Sequence, residues 1–529
     1  MNQTIASRFK EESHERNDIL EAARECAALT KPATLPLDGQ DPNQHLPHKY
    51  TNVGTTGVTT LAGKMLMAIY PPDRPFFTFD LDTEIRYDEE VDPQLILAIE
   101  DKLFIQELII MRKLESTRVK IDKDRSGSNF RTAMLKTIEQ LIITGDTLHR
   151  LNRDYTVTVF RRDNYTTRRD CEGRVLSHIV LECTDAFELD ADDFEKAKLN
   201  RDDYAEKTRK DREVKVYTLI EWNPVEERWK LTQEINNNVI REWNETVSPY
   251  ISTAFDLALG EHYGRGLIEH NLPDLRSLNA LEEAAQDIIA LASKQLGAID
   301  RASAVRARDL NEKGSGEFIE GAIVREGKVQ DVGILSFAQT TEFQLINAQI
   351  ERITKRLGRT FLSEIETQPQ GERVTAQQVS RIAGELQDAL GGAFVPIAEQ
   401  QQTPLIRRLI YQAQRDLSVV PISPDIHIDI KTGLAALKRE LDAEKLLRVL
   451  TMINQLGPTA MQRINEAGLA QMFFRMVGVD PTTLVKSQEQ VAREQQQALA
   501  LAAQQAATEE TVRVGGDVAR ANLLPTGSQ

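Results

Sequence analysis

Residues 273–296, PDLRSLNALEEAAQDIIALASKQL, and residues 339–365, QTTEFQLINAQIERITKRLGRTFLSEI, decide how this chain is read. In the first stretch Leu275, Leu278, Leu281, Ala285, Ile288 and Leu291 recur at steps of three and four, which puts them on one face of a helix. In the second, Phe343, Ile346, Ile350, Ile353, Leu357 and Phe361 keep the same rhythm. The helices would be roughly 36 and 40 Å long, so they can lie side by side. Gly297 reads as the stop of the first. The insert between them, residues 299–336, holds Gly314, Gly316, Gly321, Gly327 and Gly333 with short β-like pieces such as Ala322-Ile323-Val324. This pattern predicts an antiparallel helical spoke with a small module at its tip. A spoke with one apolar stripe must bury it, and the simplest cover is a copy of itself in a ring. Ile346, Ile350, Ile353 and Leu357 are the candidate ring-packing residues.

Working outward, the spoke runs into a polar loop, Glu366, Thr367, Gln368, Pro369, Gln370, Gly371, Glu372 and Arg373. Thr375 with Gln378 then fits a capping box, and Val374 with Val379 fits the hydrophobic staple, so a helix should start at Ala376. It meets Gly391-Gly392, Pro396 and Pro404, which predicts a kink near its middle. Residues 426–430 read as a strand, and residues 437–455, 460–467 and 469–477 as helices. Residues 486–508 are rich in Ala, Gln and Glu, and the Gly- and Pro-containing tail beyond them should be loose.

Toward the N-terminus, residues 7–29, 51–70, 92–120 and 130–144 carry helical spacing, and residues 76–81 alternate like a strand. From residue 147 to 243 the period becomes two. Residues 155–160, 175–181, 214–222 and 229–234 are strand-like, and Asn223-Pro224-Val225-Glu226-Glu227 makes a hairpin connection. The charged stretch 190–212 interrupts them as an exposed helix or loop.

A chain of 529 residues with 41% hydrophobic and 28% charged residues is globular and divides into more than one unit. Its formal charge of −16 argues against a generic nucleic-acid binder, whose affinity comes from neutralising phosphates, but not against a wall past which DNA slides. Cys26, Cys171 and Cys183 are too scattered for a disulfide framework or metal knuckle and read as reduced structural residues. The polar start after Met1 is no signal peptide, and no apolar run reaches the length of a membrane span.

Residues 57–64, Gly57-Val58-Thr59-Thr60-Leu61-Ala62-Gly63-Lys64, form the one nucleotide-like string. A P-loop needs four residues between its glycines and a Ser or Thr after Lys; here there are five, and Met65 follows. A small-residue helix face is the competing reading. The eight histidines, including His45, His48, His262 and His270, have no metal spacing, and no nucleophile elbow is present. No cofactor is expected. Arg352, Lys355, Arg356 and Arg359 form a basic cluster on the second spoke helix, read either as a solvated face paired with acids such as Glu351 or as possible DNA-facing side chains.

The segments Tyr263-Gly264-Arg265-Gly266 with Leu272-Pro273-Asp274-Leu275-Arg276-Ser277-Leu278, Gly371-Glu372-Arg373-Val374-Thr375-Ala376 with Glu385-Leu386-Gln387-Asp388-Ala389-Leu390-Gly391-Gly392, and Leu61-Ala62-Gly63-Lys64-Met65-Leu66 resemble the head-to-tail connector (portal) proteins of short-tailed, T7-like bacteriophages. The resemblance is collinear over about residues 22–479. It implies a mixed α+β, mainly helical portal fold: a wing at 1–263, stem helix 1 at 264–298, a clip at 299–336, stem helix 2 at 337–365, a channel loop at 366–374, a kinked wing helix and return strand at 375–430, crown helices at 431–507 and a flexible tail at 508–529. It further implies a homo-oligomeric ring, usually of twelve subunits in this family, at one capsid vertex of the virion. Double-stranded DNA would be in transit through it. Terminase, major capsid and scaffolding proteins, tail adaptor proteins and internal core proteins would be its partners, with no enzymatic activity of its own. The rival readings are a static head-tail adaptor without DNA passage and a nucleotide-dependent motor.

Overall fold

The structure is a computed structural model that describes residues 3–40, 49–71, 76–81, 93–115, 129–200, 204, 207, 211–292, 296–299, 305–306, 308, 312, 324–325, 328–329, 332–335, 340–362, 397–415, 428–432, 448 and 451. Two units divide the chain: Met1–Asp82 with Gln106–Ala436, and Thr83–Ile105 with Leu437–Gln529. The expected loop at 366–373, the capped helix start at Ala376 and, apart from residues 448 and 451, the expected helices at 437–477 lie outside the described residues.

Residues 7–29, expected as one helix, form two, α1 (Ile5–Glu15) and α2 (Asn17–Leu29). They part at Arg16, which is 2% exposed and donates to the carbonyls of Arg162 at 2.6 Å, Asp163 at 2.7 Å and Tyr165. A buried guanidinium requires such acceptors, and reaching them breaks the helix. Helix α3 (Val53–Ile69), strand β1 (Phe77–Leu81), helix α4 (Pro93–Glu115) and helix α5 (Phe130–Thr144) follow close to the expected ranges. Val58, Leu61 and Met65 of α3 and Met134, Ile138 and Leu141 of α5 are all fully buried.

The period-two region builds β2 (Asp146–Leu151), β3 (Val157–Phe160), β4 (Tyr165–Arg169), β5 (Val175–Asp185), the short helix α6 (Ala191–Lys196), β6 (Glu213–Asn223), β7 (Arg228–Ile235), β8 (Asn238–Glu245) and β9 (Tyr250–Ala254). They form a three-stranded sheet in the order β3-β2-β9 and a five-stranded sheet in the order β4-β5-β6-β7-β8, with every pair antiparallel. Leu148, Phe160 and Tyr250 of the first sheet and Tyr165, Val180, Ile220 and Leu231 of the second share one buried cluster, so the two sheets make one core. Helix α1 covers another patch, with Ile5 and Phe9 against Ile179. The expected hairpin connection is present: Asn223 Oδ1 accepts from the Val225 amide at 3.0 Å, and Glu227 takes a positive φ of 48°.

Beyond β9 come α7 (Leu267–His270) and α8 (Leu272–Ala292), then the strands β10 (Leu296–Ile299), β11 (Val324–Arg325), β12 (Lys328–Val329) and β13 (Val332–Leu335), and then α9 (Thr340–Thr360). Strands β10 and β13 pair antiparallel, Leu296 with Leu335 through Ile299 with Val332, and close the inserted module. Gly297 therefore does not cap the first spoke helix as expected. It sits inside β10 opposite Ile334, because the ladder to β13 recruits this end of the sequence. A π turn, Ala398–Gln402, lies between Pro396 and Pro404 and opens α10 (Thr403–Arg415). Gln400 Oε1 accepts from the Ala254 amide at 2.9 Å and Gln402 donates to the Ile69 carbonyl at 2.9 Å, so this turn ties β9 to the end of α3. Strand β14 (Ile428–Thr432) returns to pair with β1, Phe77 opposite Thr432 and Leu81 opposite Ile428.

Two core histidines give this fold a pH signature. Burial pushes His149 down to about 4, and burial with Arg169 pushes His178 down to about 3, so both are neutral when folded. In the unfolded chain each titrates near 6.5, so their contribution is complete above about pH 6.5 and is lost as pH falls from there toward 4. The loss is about 2 kcal/mol per histidine between pH 6.5 and 5. Neither ring nitrogen of His149 has a hydrogen-bond partner among the described residues. His149→Leu should therefore shrink the drop in thermal midpoint between pH 7 and pH 5. An equal drop in the variant and the parent chain would show that this histidine does not carry the effect.

Candidate functional site

The site to be built is the helical spoke and the footing on which it stands. Helices α8 and α9 run antiparallel: Arg356 near the end of α9 forms an ion pair with Asp274 at the start of α8, while β10 and β13 join their other ends. Each has 21 residues, a length of roughly 31 Å.

The base of the spoke is set by backbone contact. Helix α5 stops at Gly145, whose φ of +76° belongs to the left-handed region where glycine carries no Cβ penalty. A Cβ on Gly145 would stand 2.3 Å from the carbonyl carbon of Arg265, one on Gly264 2.5 Å from the Gly145 oxygen, and one on Gly266 2.7 Å from the Ile143 oxygen. The segment Tyr263-Gly264-Arg265-Gly266 therefore crosses the end of α5 with backbone against backbone. Beside the crossing lies a buried polar group: the Tyr165 hydroxyl donates to Asp146 Oδ1 at 2.9 Å, Arg169 lies 3.8 Å from Asp146 Oδ2, and the Arg162 guanidinium sits 4.1 Å from the Tyr263 ring centroid. Burial raises the Asp146 carboxyl above the usual range, while Arg162, Arg169, the Tyr165 hydroxyl and the Gly264 amide act in the opposite direction. The Tyr263 hydroxyl also accepts from the Thr167 amide at 3.1 Å.

Helix α3 forms the second half of the footing. A Cβ on Gly54 would meet Leu275 of α8 at 3.4 Å, and one on Gly57 would stand 2.4 Å from Cδ2 of Phe361, just past the end of α9. Gly57 is thus a notch for the Phe361 ring, which is fully buried. Lys64 Nζ donates to the Leu362 carbonyl at 2.8 Å. The nucleotide-like string of residues 57–64 lies wholly inside α3, with Gly57 and Lys64 both facing the foot of α9.

The residues singled out in sequence separate in space. Ile353 and Leu357, expected to pack the ring, are 3% and 0% exposed within the single chain, at the end of the spoke nearest its base. Ile346 and Ile350 are half-buried, whereas Leu345 on α9 is 69% exposed and Ile289 on α8 is 53% exposed. Arg352, Lys355, Arg356 and Arg359 all lie on the exposed side of α9, and Arg356 is engaged by Asp274. Sequence reasoning missed Gly57, Lys64 and Asp274 as partners of α9. The small residues at Gly54 and Gly57, one helical turn apart, were the available sign of a close helix approach.

His262 Nδ1 accepts from the Arg169 amide at 3.2 Å, and His270 lies 3.2 Å from Asp256. Among the described residues no group of three or more His, Cys, Asp or Glu could hold a metal ion, and no helix is long and apolar enough to cross a membrane. Cys26 is buried, while Cys171 and Cys183 are exposed.

A family model described as bacteriophage head to tail connecting protein matches residues 2–485. The portal protein of Escherichia phage T7 is 27% identical over 88% of this chain and 85% of its own. That of Enterobacteria phage T3 is 27% identical with the same coverage, and that of Pseudomonas phage phiKMV is 26% identical over 88% of this chain and 89% of its own. Among solved structures, the neck of a native GTA particle, computed with C12 symmetry, aligns with 81% of this chain and 89% of its own at 11% identity and a TM-score of 0.38. With its two-sheet lobe and helical spoke matched almost end to end by that family model, the chain belongs to the bacteriophage head to tail connecting proteins.

Proposed function

We propose that the chain forms the ring at one capsid vertex through which double-stranded DNA is packaged and later ejected, with twelve copies as is usual in the family. Terminase docks on this ring during packaging, and the tail adaptor proteins follow. Major capsid, scaffolding and internal core proteins are its other neighbours, and assembly takes place in the host cytoplasm before the ring resides in the virion. The chain is a conduit without catalytic work of its own, and ATP hydrolysis belongs to a separate motor. The observation that carries this reading is the antiparallel spoke, closed at one end by β10 and β13 and held at the other by α3. A net charge of −16 fits a channel wall that repels phosphate over a Debye length of about 8 Å at physiological salt. Electron microscopy of the purified protein tests it: a ring with an open axial hole is expected, and a closed disc would favour a static adaptor. An ATPase assay tests the motor reading, with no turnover expected.

In the ring, neighbouring copies meet through the apolar residues the single chain leaves uncovered. Leu345→Asp should leave the unassembled chain as stable as before and reduce ring yield in native mass spectrometry. Ile353→Asp buries a charge inside the chain and should lower its own unfolding stability by about 4 kcal/mol. Full rings from Leu345→Asp would remove the stem from the subunit contact.

The loop 366–373 follows the stem in sequence and combines polar residues with Pro369 and Gly371, which suits a steric gate around DNA. Shortening residues 367–371 should leave rings and proheads intact while packaged DNA leaks or packaging fails. Normal packaging and retention, with correct rings seen by microscopy, would reduce the loop to a connection.

A further inference from the structure

Stem helix α9 ends in an arrangement that nothing in the channel function requires of a simple helix stop. The Phe361 amide closes a normal turn on the Leu357 carbonyl at 2.9 Å, and the Leu362 amide tightens onto the Arg359 carbonyl at 3.2 Å. Leu362 then adopts φ +53°. That is the left-handed region, where a side chain with a Cβ crowds its own carbonyl and where helices normally place glycine. Leucine at this position is strained, and something outside the helix must hold it.

Two contacts from α3 do so, both from residues of the string that does not act as a phosphate loop. The notch at Gly57 accepts the Phe361 ring, and Lys64 Nζ takes the Leu362 carbonyl at 2.8 Å. That carbonyl lies at the negative end of the α9 dipole, where a cation is favoured over a neutral donor. The Leu362 side chain is itself 7% exposed, so its left-handed turn is packed as well as hydrogen-bonded.

We propose that Lys64 and Gly57 form a latch that fixes where the second stem helix ends. Engaged, the latch holds Leu362 left-handed and stops α9 there. Released, Leu362 relaxes to the right-handed region and the last turn of α9 is free to rewind. The foot of the stem is thus a two-state element biased by one lysine of the wing. This inference rests on reading α8 and α9 as the stem of the proposed ring and assigns them a device that reading does not contain.

Hydrogen–deuterium exchange on assembled rings of the full chain, with peptides covering residues 354–362, tests it. Lys64→Met keeps the length of the side chain and removes the donor, and amide exchange at Phe361 and Leu362 should rise on the order of tenfold. Adding Leu362→Gly to Lys64→Met should return exchange to near the parent rate, because glycine adopts the left-handed stop without the latch. Unchanged exchange in Lys64→Met would overturn the proposal, and so would failure of Leu362→Gly to rescue it. If Lys64→Met yields no rings, Leu362→Gly alone decides: slower exchange at Phe361 supports a strained stop, and equal or faster exchange overturns it. Exchange is read whether or not DNA passes the ring, so a failed latch leaves the portal reading standing, and a ring without a channel leaves the latch standing.

Discussion

The constraint on which the rest depends is the crossing of two backbones, the end of α5 at Gly145 and the turn at Gly264 to Gly266. Separations of 2.3 to 2.7 Å from a hypothetical Cβ leave room for hydrogen alone, and the atoms facing each glycine are main chain, which cannot swing aside as a side chain can. Through this crossing the sheet lobe and the helical spoke meet backbone against backbone. Helix α5 hands over to β2 on one side, and Gly266 leads into α7 and α8 on the other. The buried set of Asp146, Tyr165, Arg169, Arg162 and Tyr263 sits at the same place; Tyr165 donates to Asp146 Oδ1, while Asp146 Oδ2 and the Arg162 guanidinium nitrogens have no hydrogen-bond partner among the described residues, so charge and ring contact, not full hydrogen bonding, hold the set.

Helices α3, α5, α8 and α9 and strands β3, β5, β6 and β7 were legible in the sequence from spacing and residue type, most directly in β6, whose residues alternate between buried and more exposed. Strands β2, β4 and β9 left little trace. Nearly all their residues are buried, and many are polar, as in Thr166 and Thr167 of β4 or Ser252 and Thr253 of β9, so no alternation survives. The break at Arg16 was equally invisible, since its cause lies some 150 positions away at the carbonyls of Arg162 and Tyr165. Strand β10 was missed because Gly297 within it reads equally well as a helix stop; only its partner Val332–Leu335 decides.

The spoke shows that a helical stripe names a buried face without naming its partner. Along the stripe of Ile346, Ile350, Ile353 and Leu357 the burial is uneven. Toward the foot of α9, Ile353 and Leu357 are covered within the chain, while toward the clip Ile346 and Ile350 are only half-buried and Leu345 stands open. Self-coverage therefore fades along the hairpin. The uncovered portion lies away from the footing, where a second copy would have surface left to bury. The basic residues Arg352, Lys355 and Arg359 are likewise exposed on this helix.

The string at residues 57–64 shows why composition without conformation misleads. Glycines, threonines and a lysine are the materials of a phosphate cradle, whose chemistry depends on backbone amides pointing free into a loop and on a lysine reaching the same anion. Inside α3 most of those amides are consumed by the helix's own hydrogen bonds, so they have nothing left to donate. The same features then serve a different end. With its side chain reduced to hydrogen, Gly57 becomes a socket for an aromatic ring, and Lys64 donates to a carbonyl at the end of a neighbouring helix. A helix C-terminus and a phosphate both present oxygen and negative potential to a lysine. What selects between them is whether the segment bearing the lysine is itself coiled, and here α3 is coiled from Val53 to Ile69 because Val58, Leu61 and Met65 must be buried.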